Sequence, residues 1–472
     1  MFKPTFLWPV FLLLAVLPVD ARHNTAACLA DSLPAAWTPD SLLSPVLPTE
    51  DRWWIELGDT CLSSLIDEAV GRNHNLLAAA ERIRAARAVY NSQLAAYSPV
   101  VGINSSWVND RTSGNIANPA IDPSLARYLE ANLTVSWQID LFGSILFKAR
   151  SLKQQYNATR AEYNGVMITL CAQVATHYMN LRTYQAQMRV AKSNILSQQA
   201  VLRMTEIRFD TGLASALDVA QAKTVYYNTR SSIPQLEAAI DSEINAIAVL
   251  TGNYPRNLHD RLWCDAPPID YMRMVEAGIP YDLLRRRPDI RQAEHEIAAR
   301  AASVGAAITD FLPTLTLNGS IGFASHDTSR FFNKNSLTYN ITPAVSWTLF
   351  SGTQRIQAVN EAKALMQAAV ETYNNTVLTA VQEVETAMSA YKNSIKQIVF
   401  LRELVNQGQL TLDLSLDLYK GGLTDFQTVL DAQRQLLSYQ NSLEAAYGKT
   451  MLSLINLYQA LGGGWELHAN NE

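Results

Sequence analysis

Residues 132–141 read Asn-Leu-Thr-Val-Ser-Trp-Gln-Ile-Asp-Leu, and residues 340–349 read Asn-Ile-Thr-Pro-Ala-Val-Ser-Trp-Thr-Leu. In both stretches apolar side chains alternate with small polar ones, which predicts β-strands that present one face to each of two environments. The tripeptide Val-Ser-Trp occurs in both, at 135–137 and 345–347, an offset of 210 residues. We therefore expect a duplicated unit with strands at equivalent positions.

The duplication extends over both halves of the 472-residue chain. Identical or similar residues recur at an offset of 214 and then of 210, and they include aromatic, proline and glycine positions that chance matches between alanine-rich helices would not give. The pairs are Ile83 and Ile297, Tyr97 and Phe311, Pro99 and Pro313, Tyr163 and Tyr373, Phe209 and Tyr419, Gly212 and Gly422, Val219 and Val429, and Ala222 and Ala432. The sequence thus predicts two copies of one unit of about 210 residues.

Each unit is predicted to contain a helix, two strands, a very long helix, a tight turn and a last helix. Between Ser144 and Thr211 the chain has no proline and a single glycine, Gly165, so no breaker ends the helix there. A helix from 145 to 208 would be about 95 Å long, and residues 353–419 predict a similar one. These lengths exceed a compact domain and predict an elongated molecule.

Both long helices are predicted to end in hairpins, at 209–215 and 419–426. Gly212 and Gly422 supply the stop signals, because glycine readily takes the left-handed conformation that ends a helix. Two hydroxyl residues that follow have the spacing of capping boxes, in which the hydroxyl accepts from the third helical amide. These boxes are Ser215-x-x-Asp218 and Thr424-x-x-Gln427.

Four segments have the alternation and the length of transmembrane strands, about 9 to 11 residues each. They lie near 99–109, 130–142, 313–324 and 338–350. Their polar positions hold small hydroxyl and amide residues, as expected of a face that lines a water-filled lumen. A water-soluble antiparallel sheet with one face on a core is the alternative interpretation. The polar segments 110–127 and 326–338 between the strands are predicted extracellular loops.

A membrane crossing would have to be made by these strands. After residue 20 no apolar run approaches the roughly 18 residues that a spanning helix needs. Four strands cannot close a barrel with a lumen, and open sheet edges are not stable in lipid. The pattern therefore predicts that several identical chains share one barrel.

The amino terminus has the pattern of an export signal. Lys3 precedes an apolar stretch from Phe6 to Val19, and Ala21 stands before a cleavage point. We predict a signal peptide over 1–21, with an ordinary buried helix as the alternative.

The four cysteines allow three interpretations of this region. A lipoprotein signal to residue 27 would leave Cys28 for lipidation, in place of simple cleavage after Ala21. A disulfide among Cys28, Cys61 and Cys264 is the third interpretation. Cys171 falls in a helical stretch and is expected to be a small packed side chain.

Composition and motifs exclude several classes of function. The 38 Lys+Arg and 43 Asp+Glu residues give a net charge of −5, which offers no basic field for nucleic acid. No nucleophile elbow, P-loop or H-E-x-x-H motif occurs, and no C-x-x-C pair is present. We expect no enzymatic activity, no metal, no cofactor and no nucleic-acid partner.

Three further motifs lie at the ends of the predicted units. The first is Trp53-Trp54 followed by Leu62-x-x-Leu65-Ile66 and Asn73-x-Asn75-Leu76. The second is Leu-Leu-Arg-Arg-Arg-Pro-Asp-Ile at 283–290 followed by Ala293-Glu294, and the third is Tyr419-x-x-Gly422 followed by Val-Leu-Asp-Ala-Gln-Arg at 429–434. Together they cover residues 45 to 465 and resemble the signatures of the TolC-like outer membrane factor family, in its tripartite efflux branch.

The resemblance implies an α+β membrane protein in the outer membrane of a Gram-negative bacterium. It would be a homotrimer whose shared β-barrel, with four strands per chain, is continued by a long α-helical barrel through the periplasm. Residues 22–75 and 253–290 would form an equatorial domain, 76–252 and 291–462 the two repeats, and 463–472 a tail.

The function implied by the resemblance is that of an exit duct surrounded by outer-membrane lipid. It would passively conduct small molecules, such as drugs, toxic compounds or metal ions, from an inner-membrane efflux pump and a periplasmic adaptor protein. A duct for type I protein secretion and a non-conducting periplasmic coiled-coil scaffold are the alternatives.

The resemblance also implies a gate at the periplasmic tip, ringed by acidic side chains. Asp431 falls on such a position, and Thr428 stands where some relatives have a second acid; Asp218 and Gln427 complete the predicted gate. The alternatives are that Asp431 pairs with Arg434 on its own helix and that Asp218 only caps a helix.

The hairpin ends are the predicted docking surface for the adaptor protein. The candidates are Phe209, Gly212, Leu213, Tyr419, Gly421, Gly422 and Leu423. Arg285, Arg286 and Arg287 precede a helix predicted to begin near Pro288, and we expect them to form structural ion pairs rather than a catalytic clamp.

Overall fold

The computed structural model describes residues 43–44, 52–111, 113, 125–263, 275–276 and 286–463. No helix within these ranges is long and apolar enough to cross a lipid bilayer. The chain divides into two compact units. The sheet unit contains Ser92–Leu152 and Glu296–Asn374, and the helical unit contains Leu33–Asn91, Lys153–His295 and Asn375–Glu472. The signal peptide, Cys28, Cys264 and Arg285 lie outside the described residues.

The helices and strands follow the duplication. The strands are β1 (Leu43–Ser44), β2 (Val100–Arg111), β3 (Leu125–Ile139), β4 (Val275–Glu276), β5 (Thr314–Ser325) and β6 (Leu337–Ser346). The helices are α1 (Thr60–Arg72), α2 (His74–Ala95), α3 (Ser144–Asp210), α4 (Ala216–Leu250), α5 (Pro255–Leu262), α6 (Pro288–Thr309), α7 (Gln354–Lys420) and α8 (Phe426–Ala460). The long helices α3 and α7 have 67 residues each, and α4 and α8 have 35 each.

The sheet unit contains one antiparallel sheet in the order β2-β3-β5-β6, with β2 and β6 at its edges. Its register places Ile103 opposite Leu133, Leu133 opposite Ile321, and Ile321 opposite Tyr339. We call this side the apolar face. Many of its side chains are exposed in the single chain, among them Ile103 at 80% and Ile341 at 73%. The predicted alternation therefore corresponds to a continuous apolar surface.

Several strand limits differ from the sequence prediction. Strands β2 and β3 extend into the predicted loop 110–127, because Arg111 and Leu125 still pair in the ladder. Strand β6 ends at Ser346 rather than near 350, because Ser346 pairs with Thr314, the first residue of β5, and no partner strand lies beyond it. The predicted loop 326–338 contains two short 3-10 turns, Thr328–Arg330 and Lys334–Ser336.

A pair of equivalent tryptophans ties strand ends to the preceding chain in the sheet unit. The indole nitrogen of Trp137 donates to the carbonyl oxygen of Tyr97 at 2.8 Å. In the second repeat Trp347 donates to the carbonyl oxygen of Phe311 at 3.0 Å. Because these four positions match in the duplication, the bond is a feature of the ancestral unit.

In the helical unit, Arg287 precedes α6 and is nearly buried. Its guanidinium contacts the carboxylates of Asp289 and Glu383, each at 2.7 Å. It also donates to the carbonyl oxygen of Ala460, at the end of α8, at 2.9 Å. The prediction of a structural ion pair is thus confirmed for Arg287, and the helix begins at Pro288 as expected.

The tryptophan motif and the two described cysteines also lie in the helical unit. Trp53 stacks on Tyr458 of α8 with ring centroids 5.2 Å apart, and Trp54 is fully buried. Cys61 has a free thiol near the start of α1. Cys171 is free and buried in α3, where burial raises the pKa of its thiol to about 12. Cys171 is therefore the packed side chain that its position predicted.

Candidate channel entrance at the helical hairpins

The two hairpins of the helical unit have the same backbone geometry. Gly212 and Gly422 both have a positive φ, 75° and 69°. The amide of Leu213 donates to the carbonyl oxygen of Arg208 at 2.7 Å, and that of Leu423 donates to Leu418 at 2.9 Å. These bonds are those of a Schellman motif, in which a left-handed residue ends the helix and the next amide reaches back to the last turn. The predicted role of the two glycines is confirmed.

The helix starts after the two turns are capped differently. Ser215 and Asp218 form a complete capping box, with the Ser215 hydroxyl accepting from the amide of Asp218 and the Asp218 carboxylate accepting from the amide of Ser215 at 2.9 Å. The predicted box at Thr424 and Gln427 is wrong. The cap of α8 is Asp425, whose carboxylate accepts from the amide of Thr428 at 3.1 Å.

Asp425 lies 210 residues after Ser215, so the cap keeps the register of the duplication. An aspartate accepts hydrogen bonds at this position as well as a serine does. The hydroxyl of Thr428 donates to the same carboxylate at 2.7 Å, and these bonds lower the pKa of Asp425. Sequence reasoning missed this residue, although the offset of 210 identifies it.

Tyr419 holds the hairpins together from inside. Its ring contacts Phe426 with centroids 5.1 Å apart, and only 5% of its surface is exposed. The guanidinium of Arg208 lies 4.8 Å from the centre of the same ring and donates to the carbonyl oxygen of Lys420 at 3.2 Å. The prediction that Tyr419 contacts the adaptor is therefore corrected. Aromatic packing and the cation–π contact with Arg208 keep Tyr419 in the core.

The remaining docking candidates are accessible. Leu213 and Leu423 are the most exposed of them, at 67% and 77%, and Phe209 is exposed at 45%. The turn glycines Gly212, Gly421 and Gly422 are exposed beside them. The two turns thus present a pair of equivalent leucines with no packing partner of their own in the core cluster of the tip.

Each predicted gate residue makes a hydrogen bond or an ion pair with a nearby side chain or backbone group. Asp431 accepts from the side-chain amide of Gln427 at 3.0 Å and lies 3.7 Å from the guanidinium of Arg434, with half of each charged side chain exposed. Thr428 donates to the cap, as described above, and Asp218 is part of the capping box. The side-chain amide of Gln221 on α4 donates to the carbonyl oxygen of the Gln427 amide on α8 at 3.4 Å. Exposed pairs of this kind contribute little to stability, and half of the Asp431 side chain stays open to solvent.

Known proteins match this chain over most of its length. The model of the family described as outer membrane efflux protein matches residues 65–253 and 279–463. The solvent efflux pump outer membrane protein SrpC of Pseudomonas putida is 31% identical over 417 residues, which are 87% of each chain. The cation efflux system protein CusC of Escherichia coli O6:H1 is 30% identical over 416 residues, 88% of each chain.

Solved structures give the same result for the fold. The outer-membrane channel OprN superposes with a TM-score of 0.84 at 30% identity, covering 92% of this chain and 97% of the other. A structure of CusC, a protein that forms a transmembrane channel, superposes with a TM-score of 0.78 at 27% identity and covers 91% of this chain.

Proposed function

Because this chain belongs to the outer membrane efflux protein family and is the outer-membrane exit duct of an efflux system, we propose that its two hairpins form the periplasmic entrance of the duct. The duct lies in the outer membrane of a Gram-negative bacterium and extends into the periplasm. The family is one of channels rather than enzymes.

The sheet explains why several chains must share the barrel of the duct. Each chain contributes four strands with unpaired edges at β2 and β6. Unpaired backbone groups at such edges are not tolerated in lipid, and identical chains can pair them only by closing a ring. The fold is a trimeric β-barrel with four strands per chain, continued by a long helical barrel.

The gate proposal rests on Asp431. Three copies around the axis of a trimer would form a ring of negative charge at the entrance, and such a ring attracts cations and multivalent cations most strongly. Gln427 and Arg434 hold the carboxylate in place without burying it. Thr428 and Asp218 contribute to the gate through the caps that fix the starts of α8 and α4.

The docking proposal rests on one observation, the equivalent exposure of Leu213 and Leu423 on two identical turns. Apolar side chains that are exposed together on a surface mark sites of contact with other proteins. We assign this surface to a periplasmic adaptor protein, which would connect the duct to an inner-membrane pump. The relatives are named for solvents, antibiotics and cations, and we propose small molecules of these kinds as the cargo, conducted passively.

The experiment is copurification of adaptor and pump from the native host after membrane solubilisation. Leu213→Asp combined with Leu423→Asp should remove the adaptor from the complex while the amount of trimer stays normal. Ser231→Asp, which places one carboxylate on an exposed position of α4, is the control for either single variant and should keep the adaptor. Normal adaptor recovery with the double variant would contradict the docking proposal.

A further inference from the structure

Two arginines lie on the apolar face, at the end of the sheet opposite the strand ends that connect to α2 and α3. Strand β2 starts after α2, and β3 ends before α3, so Arg111 and the first residues of β3 lie at the opposite, outer end. The register places Asn109 opposite Arg127, two residues beyond the pair of Trp107 and Leu129. Because side chains alternate along a strand, Arg111 and Arg127 point to the same side as Trp107.

The two arginines are neighbours in the register on that face. Arg111 pairs with Leu125, so Arg111 and Arg127 are diagonal neighbours across the β2–β3 ladder, about 7 Å apart at their backbones. Both side chains are exposed. The Nε of Arg127 donates to the side-chain oxygen of Asn109 at 3.1 Å, which orients the guanidinium and leaves its two terminal nitrogens for another acceptor.

The acids of this region lie on the other side of the sheet. Asp110 and Glu130 are one residue out of phase with the arginines, and Glu130 accepts from the Ser106 hydroxyl on that side at 2.6 Å. Within the part of the chain that the structure describes, neither Arg111 nor Arg127 pairs with a carboxylate. Among the described residues, the positive charge on this side of the sheet is thus not neutralised by a carboxylate.

Aromatic side chains lie below and beside this pair. Trp107 is exposed at 69% on β2. Phe323, on the apolar face of β5, contacts Phe332 with centroids 5.6 Å apart, and Phe332 is exposed at 82%. Aromatic residues of this kind mark the interface between the hydrocarbon and the headgroups. The arginines therefore stand at the level of the outer-leaflet headgroups.

We propose that Arg111 and Arg127 bind a phosphate group of the phosphorylated glycolipid of the outer leaflet, lipopolysaccharide. The guanidinium group matches phosphate oxygens with paired hydrogen bonds, and two of them side by side fit a dianionic group better than a single lysine would. The acyl chains of the same molecule would lie against Trp107 and the Phe323–Phe332 pair. This proposal does not depend on the proposed adaptor surface.

The test uses the purified full-length trimer in detergent, with bis-phosphorylated Kdo2-lipid A as the probe and bound copies counted by native mass spectrometry. Arg111→Gln combined with Arg127→Gln should weaken binding about tenfold or more, because hydrogen bonds to charged groups are lost. Arg127→Lys should give an intermediate loss. Arg87→Gln removes the same charge from an exposed position of α2 and should bind as the wild type does.

Competition distinguishes the sources of phosphate. Monophosphoryl lipid A should bind more weakly, and millimolar inorganic phosphate or an equal amount of phosphatidylglycerol should not displace the probe. Unchanged binding in the double variant would overturn the proposal. Displacement by inorganic phosphate would show a free-phosphate site, and displacement by phosphatidylglycerol a general anionic contact; either would also overturn it. If the double variant does not assemble, the two single variants decide the outcome, each with weaker binding expected.

Discussion

Asn73 and Arg287 occupy equivalent positions in the two repeats and make the same bond. The side-chain amide of Asn73 donates to the carbonyl oxygen of Leu250, at the end of α4, and the guanidinium of Arg287 donates to that of Ala460, at the end of α8, both at 2.9 Å. Each therefore ties the start of its repeat's first helix to the end of its last.

We call each of these bonds, together with the side chains around it, a joint. The side chains of the two joints differ in charge. The residues around Arg287 are the carboxylates Asp289 and Glu383, whereas the equivalents around Asn73 are the neutral amides Asn75 and Gln173. Asn73 also caps α2, because its side-chain oxygen accepts from the amide of Leu76 at 3.0 Å. One joint is ionic and the other is a neutral amide joint.

Loss of the ionic joint should destabilise the fold more than loss of a surface pair. Arg287→Met removes a nearly buried guanidinium and leaves the carbonyl oxygen of Ala460 without a donor, so we expect a loss of about 2 to 3 kcal/mol of stability. The cost is below that of a fully buried pair, because the Asp289 and Glu383 side chains are exposed at 44% and 48%.

The measurement is the heating temperature at which the trimer dissociates on a gel. Arg300→Gln, which breaks an exposed pair with Glu296 at 2.9 Å, is the control and should cost less than about 1 kcal/mol. Equal dissociation temperatures for the two variants would show that the joint contributes no more than a surface ion pair.

Removal of the Asp431 carboxylate should change the ionic behaviour of the duct. We expect Asp431→Ala to raise single-channel conductance or to weaken block by multivalent cations, because a ring of negative charge binds such cations tightly. Asp413→Ala is a matched control, since Asp413 on α7 also accepts from a glutamine four residues earlier, at the same 3.0 Å. If both variants conduct and are blocked as the wild type is, Asp431 has only its local pairing role.

Substitutions of the turn glycines distinguish the effect of backbone strain from the loss of adaptor docking. Gly421 has no positive φ, and a side chain there would make ordinary contacts, the nearest at 3.5 Å. Gly421→Asp should therefore abolish efflux with a normally stable trimer.

Gly422 has φ +69° with open space around it, so Gly422→Ala should keep efflux and cost about 1 kcal/mol. Charged residues at Gly212 or Gly422 should also abolish efflux without reducing the amount of trimer.

Drug resistance of the host measures efflux, and gel migration without heating measures the trimer. Full resistance with Gly421→Asp would contradict a docking role for this turn.

The stability of the helical unit should depend on the protonation of Glu444. Burial raises the pKa of this carboxyl above its ordinary value, and the nearby Arg189 offsets part of the rise. The folded state then binds the proton more tightly than the unfolded state. The resulting stabilisation is present below about pH 4 and is lost as the pH rises through the folded pKa.

Glu444→Gln should accordingly gain stability relative to the wild type as the pH rises from about 4 to 7. Thermal dissociation of the trimer across this range is the measurement. Glu403→Gln removes an exposed carboxylate on α7 and is the control for the substitution itself. A stability difference between Glu444→Gln and the wild type that stays constant from pH 4 to 7 would rule out the burial effect.

Periodicity and breakers predicted the backbone well. The alternation at 132–141 defined the apolar face, and the absence of proline between Ser144 and Thr211 predicted α3 to within two residues at each end. These features are local, so the sequence carries them directly. The cap of α8 was placed one residue early because Thr424 fits the local pattern, whereas the duplication register identifies Asp425.

Contacts between distant segments could not be predicted in the same way. The burial of Tyr419 depends on Phe426 and on the approach of Arg208 from α3, which lies more than 200 residues earlier in the chain. The bond from Trp137 to the backbone of Tyr97 likewise depends on how the strand end meets the preceding turn. Neither leaves a periodic signal in the sequence.

The closure of one barrel by several chains is tested most directly by disulfide cross-linking of the edge strands. Within one chain β2 and β6 are separated by two strands, which places them roughly 14 Å apart, beyond the reach of a disulfide. In a protein whose native cysteines are replaced by alanine, Ile103→Cys is combined in turn with Tyr339→Cys, Ile341→Cys and Val345→Cys. Oxidation in the membrane should give, for at least one pair, a trimer that survives boiling and is released by reductant, whereas each single variant stays a monomer. Monomers from all three pairs after oxidation would contradict a barrel shared by three chains.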